Sequence, residues 1–335
     1  MALFTEYLKL VRLPGWGAYC ITAVFGALSV GVFAPSKIFL LILIGILATL
    51  FGFVLNDYAD VATDSLSKEI SERPLVKGTI PKSHALYISI VSAVLAYVVI
   101  LWAMLENYFI FSYDALLILF VAAVLTAVYN FYGKKIIGSD LFVALATSLY
   151  CIFGAMVVSD KISSLTWIIT IVTFIQILYM NSIIGGLKDA DHDYKLGAKN
   201  IAIKLGVKVN EKLYVPISFK VLGLFLRGCS TFFMFVPLLF FEDFPYYLWQ
   251  PVLMFLMFVG VIYASVKMLN LKTFNRDTLR KLISIQAFLR YSVVPVMLMA
   301  FIGYYLGLFL IIFPFVWFVF FNWVIYGKTV QPKTL

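Results

Sequence analysis

Ten stretches of about 20 apolar residues, separated by short polar loops, fill most of this 335-residue chain. They lie near 15–33, 38–56, 85–104, 114–132, 140–158, 163–185, 214–240, 247–269, 283–304 and 306–326. A helix of that length crosses the hydrocarbon core of a bilayer. With 63% hydrophobic and only 13% charged residues, the chain has too few polar side chains to coat a soluble domain. The expectation is an all-α integral membrane protein, a bundle of about nine or ten transmembrane helices forming a single domain over 1–335. The apolar run 282–326 is too long for one span, and Gly303 or Gly307 is the natural place for it to turn. Merging or re-routing that run gives the lower count.

The net charge of +9 does not point to nucleic acid, because the basic residues alternate between loops. One set of loops holds Lys68, Arg73, Lys77 and Lys82, then Lys134 and Lys135, then six lysines between 188 and 212. The other set carries Lys37 and Lys161 and is otherwise acidic. By the positive-inside bias the first set and both termini face the cytoplasm, in what is expected to be the cell membrane. The N-terminal segment carries charges before the first apolar run but no cleavage signature, so the first span is expected to stay. Cys20, Cys151 and Cys229 fall in apolar stretches without metal or disulfide spacing and are expected to be small core residues.

About half of the seventeen acids gather in or beside two patches, Asn-Asp-Tyr-Ala-Asp-Val-Ala-Thr-Asp at 56–64 and Asp-Ala-Asp-His-Asp at 189–193. Each follows an apolar span and runs into a basic loop, and the two are four spans apart. This suggests two pseudo-repeated halves around a central cavity, with the acids at one end. Asn56, Asp60 and Asp64 are spaced i, i+4, i+8 and share a helical face; Asp57 drifts off it. Asp189 and Asp193 repeat the i, i+4 spacing, with Asp191 on another face. Oxygen-rich stripes of this kind repel themselves unless a cation is present. Mg²⁺ is the natural partner because it takes hard oxygen ligands and bridges one or two carboxylates to phosphate oxygens. The plainer alternative is a set of solvated loop acids pairing with nearby Lys and Arg. An EF-hand is excluded by the missing Gly and distal Glu.

Taken together, Asn56-Asp57-x-x-Asp60-x-x-x-Asp64, Arg73-Pro74-Leu75 with Gly78, Tyr129 to Lys134 in YNFYGKK, and KDADHDYKLGAKNIAIKLG resemble the UbiA superfamily of intramembrane prenyltransferases. The resemblance runs from the first span to about residue 206, and a tenth span departs from the nine helices usual in that family. It implies Mg²⁺-dependent transfer of a prenyl group from an isoprenyl diphosphate to a lipophilic acceptor. Asn56, Asp60, Asp64, Asp189 and Asp193 then match the metal-bearing positions, for two ions. Tyr129 gains from the family pattern, in which a Tyr precedes the Lys of the fourth span.

The chemistry assigns further roles. As the C1–oxygen bond of an allylic diphosphate stretches, positive charge grows on carbon and negative charge on the departing group, so whatever neutralises the diphosphate lowers the barrier. Arg73, with its planar fork, is the first candidate for the phosphate oxygens, followed by Lys77, Lys134 and Lys188. Aromatic rings near the motifs (Tyr129, Tyr132, Tyr58, Phe53, Tyr179) could stabilise the allylic cation. Asp60, Asp64, Tyr129 and Lys134 are thus the expected catalytic group. Lys220, Arg227 and Arg290 are charges inside apolar spans; Lys220 can snorkel to the surface, and the others could line a pocket for an anionic head. His84 and His192 share no ligand spacing. The acceptor is expected to be an aromatic quinone precursor, with geranylgeranylglyceryl phosphate as the runner-up and a cation-coupled transporter as the third reading. Expected partners are the diphosphate donor, the acceptor and membrane lipids, with no nucleic acid.

Overall fold

The computed structural model describes residues 2–65, 72–209, 212–327 and 329; Lys68 and the side chain of His192 lie outside the described residues. The chain is almost wholly helical. In order, its helices are α1 (Ala2–Leu10), α2 (Trp16–Tyr19), α3 (Thr22–Ser29), α4 (Pro35–Asp64), α5 (Lys82–Leu105), α6 (Tyr113–Tyr132), α7 (Asp140–Met156) and α8 (Ser164–Tyr179). They continue as α9 (Gly186–Lys188), α10 (Ala190–Leu196), α11 (Ile201–Lys204), α12 (Ile217–Phe240), α13 (Trp249–Leu269), α14 (Arg276–Ile302) and α15 (Tyr304–Tyr326). A 3₁₀ turn, Leu13–Gly15, precedes α2, and a π-helical turn, Met180–Gly185, joins α8 to α9. The described strands are β1 (Lys208–Val209) and β2 (Leu213–Tyr214), paired antiparallel.

Among the described residues, eight helices are long and apolar enough to cross a membrane, and Leu13–Ser29 and Asp140–Met156 form two shorter apolar helical segments. This is an integral membrane protein. Its outer surface supports that: on α5, Tyr87, Val91, Val94, Val98 and Trp102 are exposed at helical spacing, while Ser89, Ser92 and Ala96 are buried. Polar groups turn inward and large apolar ones outward, the reverse of a soluble helix. The first expected span is not one helix, since it breaks at Cys20 and Ile21. The expected turn in the last apolar run occurs at Gly303, whose φ of +83° is open to glycine and strained for other residues.

The chain divides into two compact units: residues 1–131, 149–163 and 312–335, and residues 132–148 and 164–311. The units are interleaved rather than sequential halves, and one acidic motif falls in each. In the first unit α4 packs along α5, where Ser89 Oγ donates to the Phe51 carbonyl at 3.1 Å. Backbones approach closely here. A Cβ at Gly26 would lie 1.9 Å from the Cys151 carbonyl oxygen, and one at Gly154 would lie 1.9 Å from that of Ala23. Such contact lets dispersion forces hold helices that gain little from the hydrophobic effect inside lipid. Cys20 and Cys151 are buried in this packing and Cys229 is half-buried in the second unit. In the second unit α8 packs on α12, and α12 and α14 on α13, around Tyr179, Ile183, Leu187, Phe219, Ala264 and Met268.

Candidate active site

The first acidic motif ends the 30-residue helix α4, which no glycine or proline interrupts beyond Gly52. The unbroken helix keeps Asn56, Asp60 and Asp64 on one face, and Asn56 Nδ2 donates to Asp60 Oδ2 at 3.2 Å. Asp57, which its spacing sets off that face, is buried and stands seven residues before Asp64, close to two full turns. Arg73 joins these two acids: its Nη1 lies 3.1 Å from Asp57 Oδ1 and 2.5 Å from Asp64 Oδ2. The Arg73 guanidinium thus neutralises a pair of buried carboxylates.

A second guanidinium reaches the same acids. Arg12 Nη2 contacts Asp57 Oδ1 and donates to Asn56 Oδ1 at 3.3 Å. Arg12 sits in the left-handed region, φ 50° and ψ 43°, at the turn before α2. A non-glycine residue there costs on the order of 1–2 kcal/mol. Its contacts with Asp57 and Asn56 offset that cost. Burial disfavours the charged guanidinium, yet the neighbouring Asp57, Asp64 and Asp60 raise its pKa above the ordinary arginine value. Nothing in the sequence near residue 12 marks this role, because its partners lie 44 and 45 residues away. Leu10, Val54, Leu75, Ile80 and Ala85 form the apolar cluster that holds α1, α4 and the 74–80 loop together beneath it.

Tyr129 is half-buried near the end of α6, next to buried Asn130, whose Oδ1 accepts from Asn56 at 3.4 Å. Lys77 is exposed and pairs with Glu72 rather than with a motif acid; this hydrogen bond and the Glu72 charge raise its pKa. Four of the rings considered for the allylic cation face cations of the chain itself. Arg12 lies over Phe53, Lys82 over Tyr58, Lys135 over Tyr132 and Arg227 over Tyr179.

The second motif has a different local structure. After the π-helical turn and α9, Asp189 stands at the N-cap position of α10, and the Asp193 amide donates to its carbonyl at 3.0 Å, so the two acids share one helical turn. Asp193 is buried and accepts from Asn200 Nδ2 at 2.7 Å. Asn200 also caps α11, which ties the acid to the following loop. Asp191 turns away to Arg276 at 2.7 Å. Lys188 lies 4.0 Å from Asp189, and the half-buried Lys134 offers its backbone carbonyl to the Lys199 amide at 2.9 Å. Arg276 and Asn200 are partners the motif spacing did not indicate.

These donor sets suit a hard divalent cation. Among the described side chains of the two motifs, the candidate donors are carboxylate and amide oxygens. Among the described residues no three acidic, His or Cys side chains converge into a closed cage.

The chain is 26% identical over 168 residues to a 4-hydroxybenzoate octaprenyltransferase of Tolumonas auensis, covering 50% of this chain and 54% of that one. It is also 26% identical over 216 residues to a digeranylgeranylglyceryl phosphate synthase of Sulfurisphaera tokodaii, covering 60% and 70%. The matched region spans about half the length of the octaprenyltransferases. The structure of a UbiA homologue from Archaeoglobus fulgidus bound to GPP and Mg²⁺ superposes with a TM-score of 0.61 at 18% identity, over 87% of this chain and 99% of that one, a likeness of fold. Residues 18–267 match the UbiA prenyltransferase family, most of the chain and both acidic motifs, and the protein therefore belongs to that family.

Proposed function

We propose that this chain is a Mg²⁺-dependent prenyltransferase of the cell membrane, working as one transmembrane domain. It would move a polyprenyl group from an isoprenyl diphosphate to an aromatic quinone precursor, with its acidic motifs at the cytoplasmic face. The observation that carries this reading is the interleaving of acids and guanidiniums at the end of α4, where Asp57 and Asp64 share Arg73 while Asn56 and Asp57 share Arg12. Acids alone suit a cation. Acids interleaved with arginines suit a cation together with a phosphate anion.

Asn56, Asp60 and Asp64 in one unit, and Asp189 and Asp193 in the other, would hold the metal, two ions in all. When bound, Mg²⁺ would offset the negative charge that develops on the departing diphosphate. Arg73 moves its donors from Asp57 and Asp64 to phosphate oxygens, while Arg12 holds Asp57 in place. Lys77, Lys134 and Lys188 add positive charge from the loops. Tyr129 presents its ring to the allylic carbon, and the apolar spans bury the prenyl tail away from water. The acceptor ring then attacks that carbon and loses its proton afterwards.

A second acceptor, geranylgeranylglyceryl phosphate, is supported by the longer match to the Sulfurisphaera synthase. That acceptor attacks through a hydroxyl oxygen, which must shed its proton during the step. The deciding experiment incubates purified protein in detergent with geranylgeranyl diphosphate, Mg²⁺ and either 4-hydroxybenzoate or geranylgeranylglyceryl phosphate, and reads product mass and diphosphate release. Chelation with EDTA should stop both, and added Mg²⁺ should restore them. Product formation undiminished by EDTA, or no prenylated product from either acceptor, refutes the proposal.

A further inference from the structure

The second unit contains two arginines buried in membrane-spanning helices. Arg227 on α12 and Arg290 on α14 are 3% and 4% exposed. Among the described residues, neither pairs with a carboxylate. Arg227 Nη2 donates to Gln286 Oε1 at 2.6 Å, its Nε to Ser265 Oγ at 3.4 Å, and its guanidinium carbon lies 3.5 Å from the centroid of the Tyr179 ring. These neutral partners fix the side chain and leave its charge uncompensated. Arg290 has less. Its Nη2 meets Met180 Sδ at 3.0 Å, its guanidinium carbon lies 4.6 Å from the Tyr291 ring centroid, and Nε and Nη1 are buried without a hydrogen-bond partner among the described residues.

The two arginines converge. Gln286, which holds Arg227, is one turn before Arg290 on α14, and the two guanidiniums reach the adjacent residues Tyr179 and Met180. Met180 opens the π-helical turn, a distortion that often marks a functional position. Inside a bilayer no bulk water compensates an unpartnered donor, and buried cations persist where an anion or a cavity meets them. Arg227 lies ten residues into α12, about 15 Å along the helix. An ion confined to water does not readily reach that depth, whereas the head of an amphipathic molecule lying between helices does.

We infer that Arg227 and Arg290 form a binding site for a lipid-borne oxyanion, a carboxylate or phosphate head attached to an apolar tail. The planar donors of arginine match such a head, and Gln286 with Ser265 holds one of them ready for it. The site stands apart from the acidic motifs in its chemistry and does not depend on prenyl transfer, so its test needs neither Mg²⁺ nor a diphosphate.

The test is calorimetric titration of purified protein in a non-ionic detergent with dodecanoate and dodecyl phosphate, with dodecanol and inorganic phosphate as the comparison arms. Both amphipathic anions should bind saturably, and Arg290→Gln or Arg227→Gln should weaken them at least tenfold. Arg290→Lys keeps the charge but loses the planar fork, and should show a smaller loss, which keeps the inference testable if the glutamine variants do not fold. Unchanged affinity in the variants, or dodecanol binding as well as dodecanoate, overturns the site. Inorganic phosphate saturating the protein as readily as dodecyl phosphate overturns its lipid-borne character.

Discussion

The two acidic motifs look alike in sequence and differ in how the fold holds them. The first rides on an unbroken 30-residue helix, and two arginines from distant segments share its acids. The second follows a π-helical turn and two short helices, and each of its acids meets a different partner: Lys188, Arg276 or Asn200. Rigidity in the first motif comes from a long helix cross-tied by charge. In the second it comes from the Asn200 cap, an ion pair and loop contacts.

The largest effects should leave this difference hidden. Asp60→Ala and Asp193→Ala should each lower diphosphate release by on the order of 10³-fold, measured as single-turnover rates at saturating Mg²⁺. A rate near that of the unaltered protein in either variant would remove that motif from the site. Stability should separate the motifs more clearly. Arg12→Ala leaves buried Asp57 with one cation fewer and should cost roughly 3 kcal/mol in detergent unfolding, whereas Arg276→Ala breaks a more exposed pair and should cost under about 1 kcal/mol. Equal losses would show that the first motif is no more tightly tied than the second. Gly26→Ala, which drives a methyl into the Cys151 carbonyl of the first unit, should cost about 1–3 kcal/mol. Last, Lys77→Ala should raise the KM for the diphosphate by less than about fivefold with kcat unchanged, because this exposed lysine contributes only long-range charge.

Much of the fold is legible in the order of residues because lipid imposes a simple rule on span length, and the apolar runs near 20 residues are helical, eight of them long enough to cross a membrane among the described residues. The turn at Gly303 was legible for the same reason, since one glycine must reverse a run too long for the bilayer. The break at Cys20 and Ile21 was not, because it accompanies a close approach: a Cβ at Gly45 would lie 2.1 Å from the Cys20 carbonyl oxygen, and spacing along one helix cannot report another. In the candidate site, helical spacing found the Asn56, Asp60 and Asp64 face. It set Asp57 aside because i, i+4 was the pattern sought, while Asp57 and Asp64 meet through Arg73 at i, i+7. Arg12 carried no local signal at all. Its place follows from a left-handed turn and a charge partner on another helix, both tertiary facts.

Trp317 on α15 donates its indole N–H to the Leu13 carbonyl at 2.9 Å, and its Cβ would lie 2.8 Å from a methyl placed on Gly17. Residues 1–131 thus belong to a unit that gains its remaining helix only from 312 onward. Between these segments the ribosome must synthesise the whole of the second unit, roughly 10–30 s of translation at ordinary speeds. Throughout that interval the turn carrying Arg12 lacks its tryptophan latch. The unit that begins first is completed last, since the tryptophan that bonds the turn beside Arg12 is among the last residues to be synthesised.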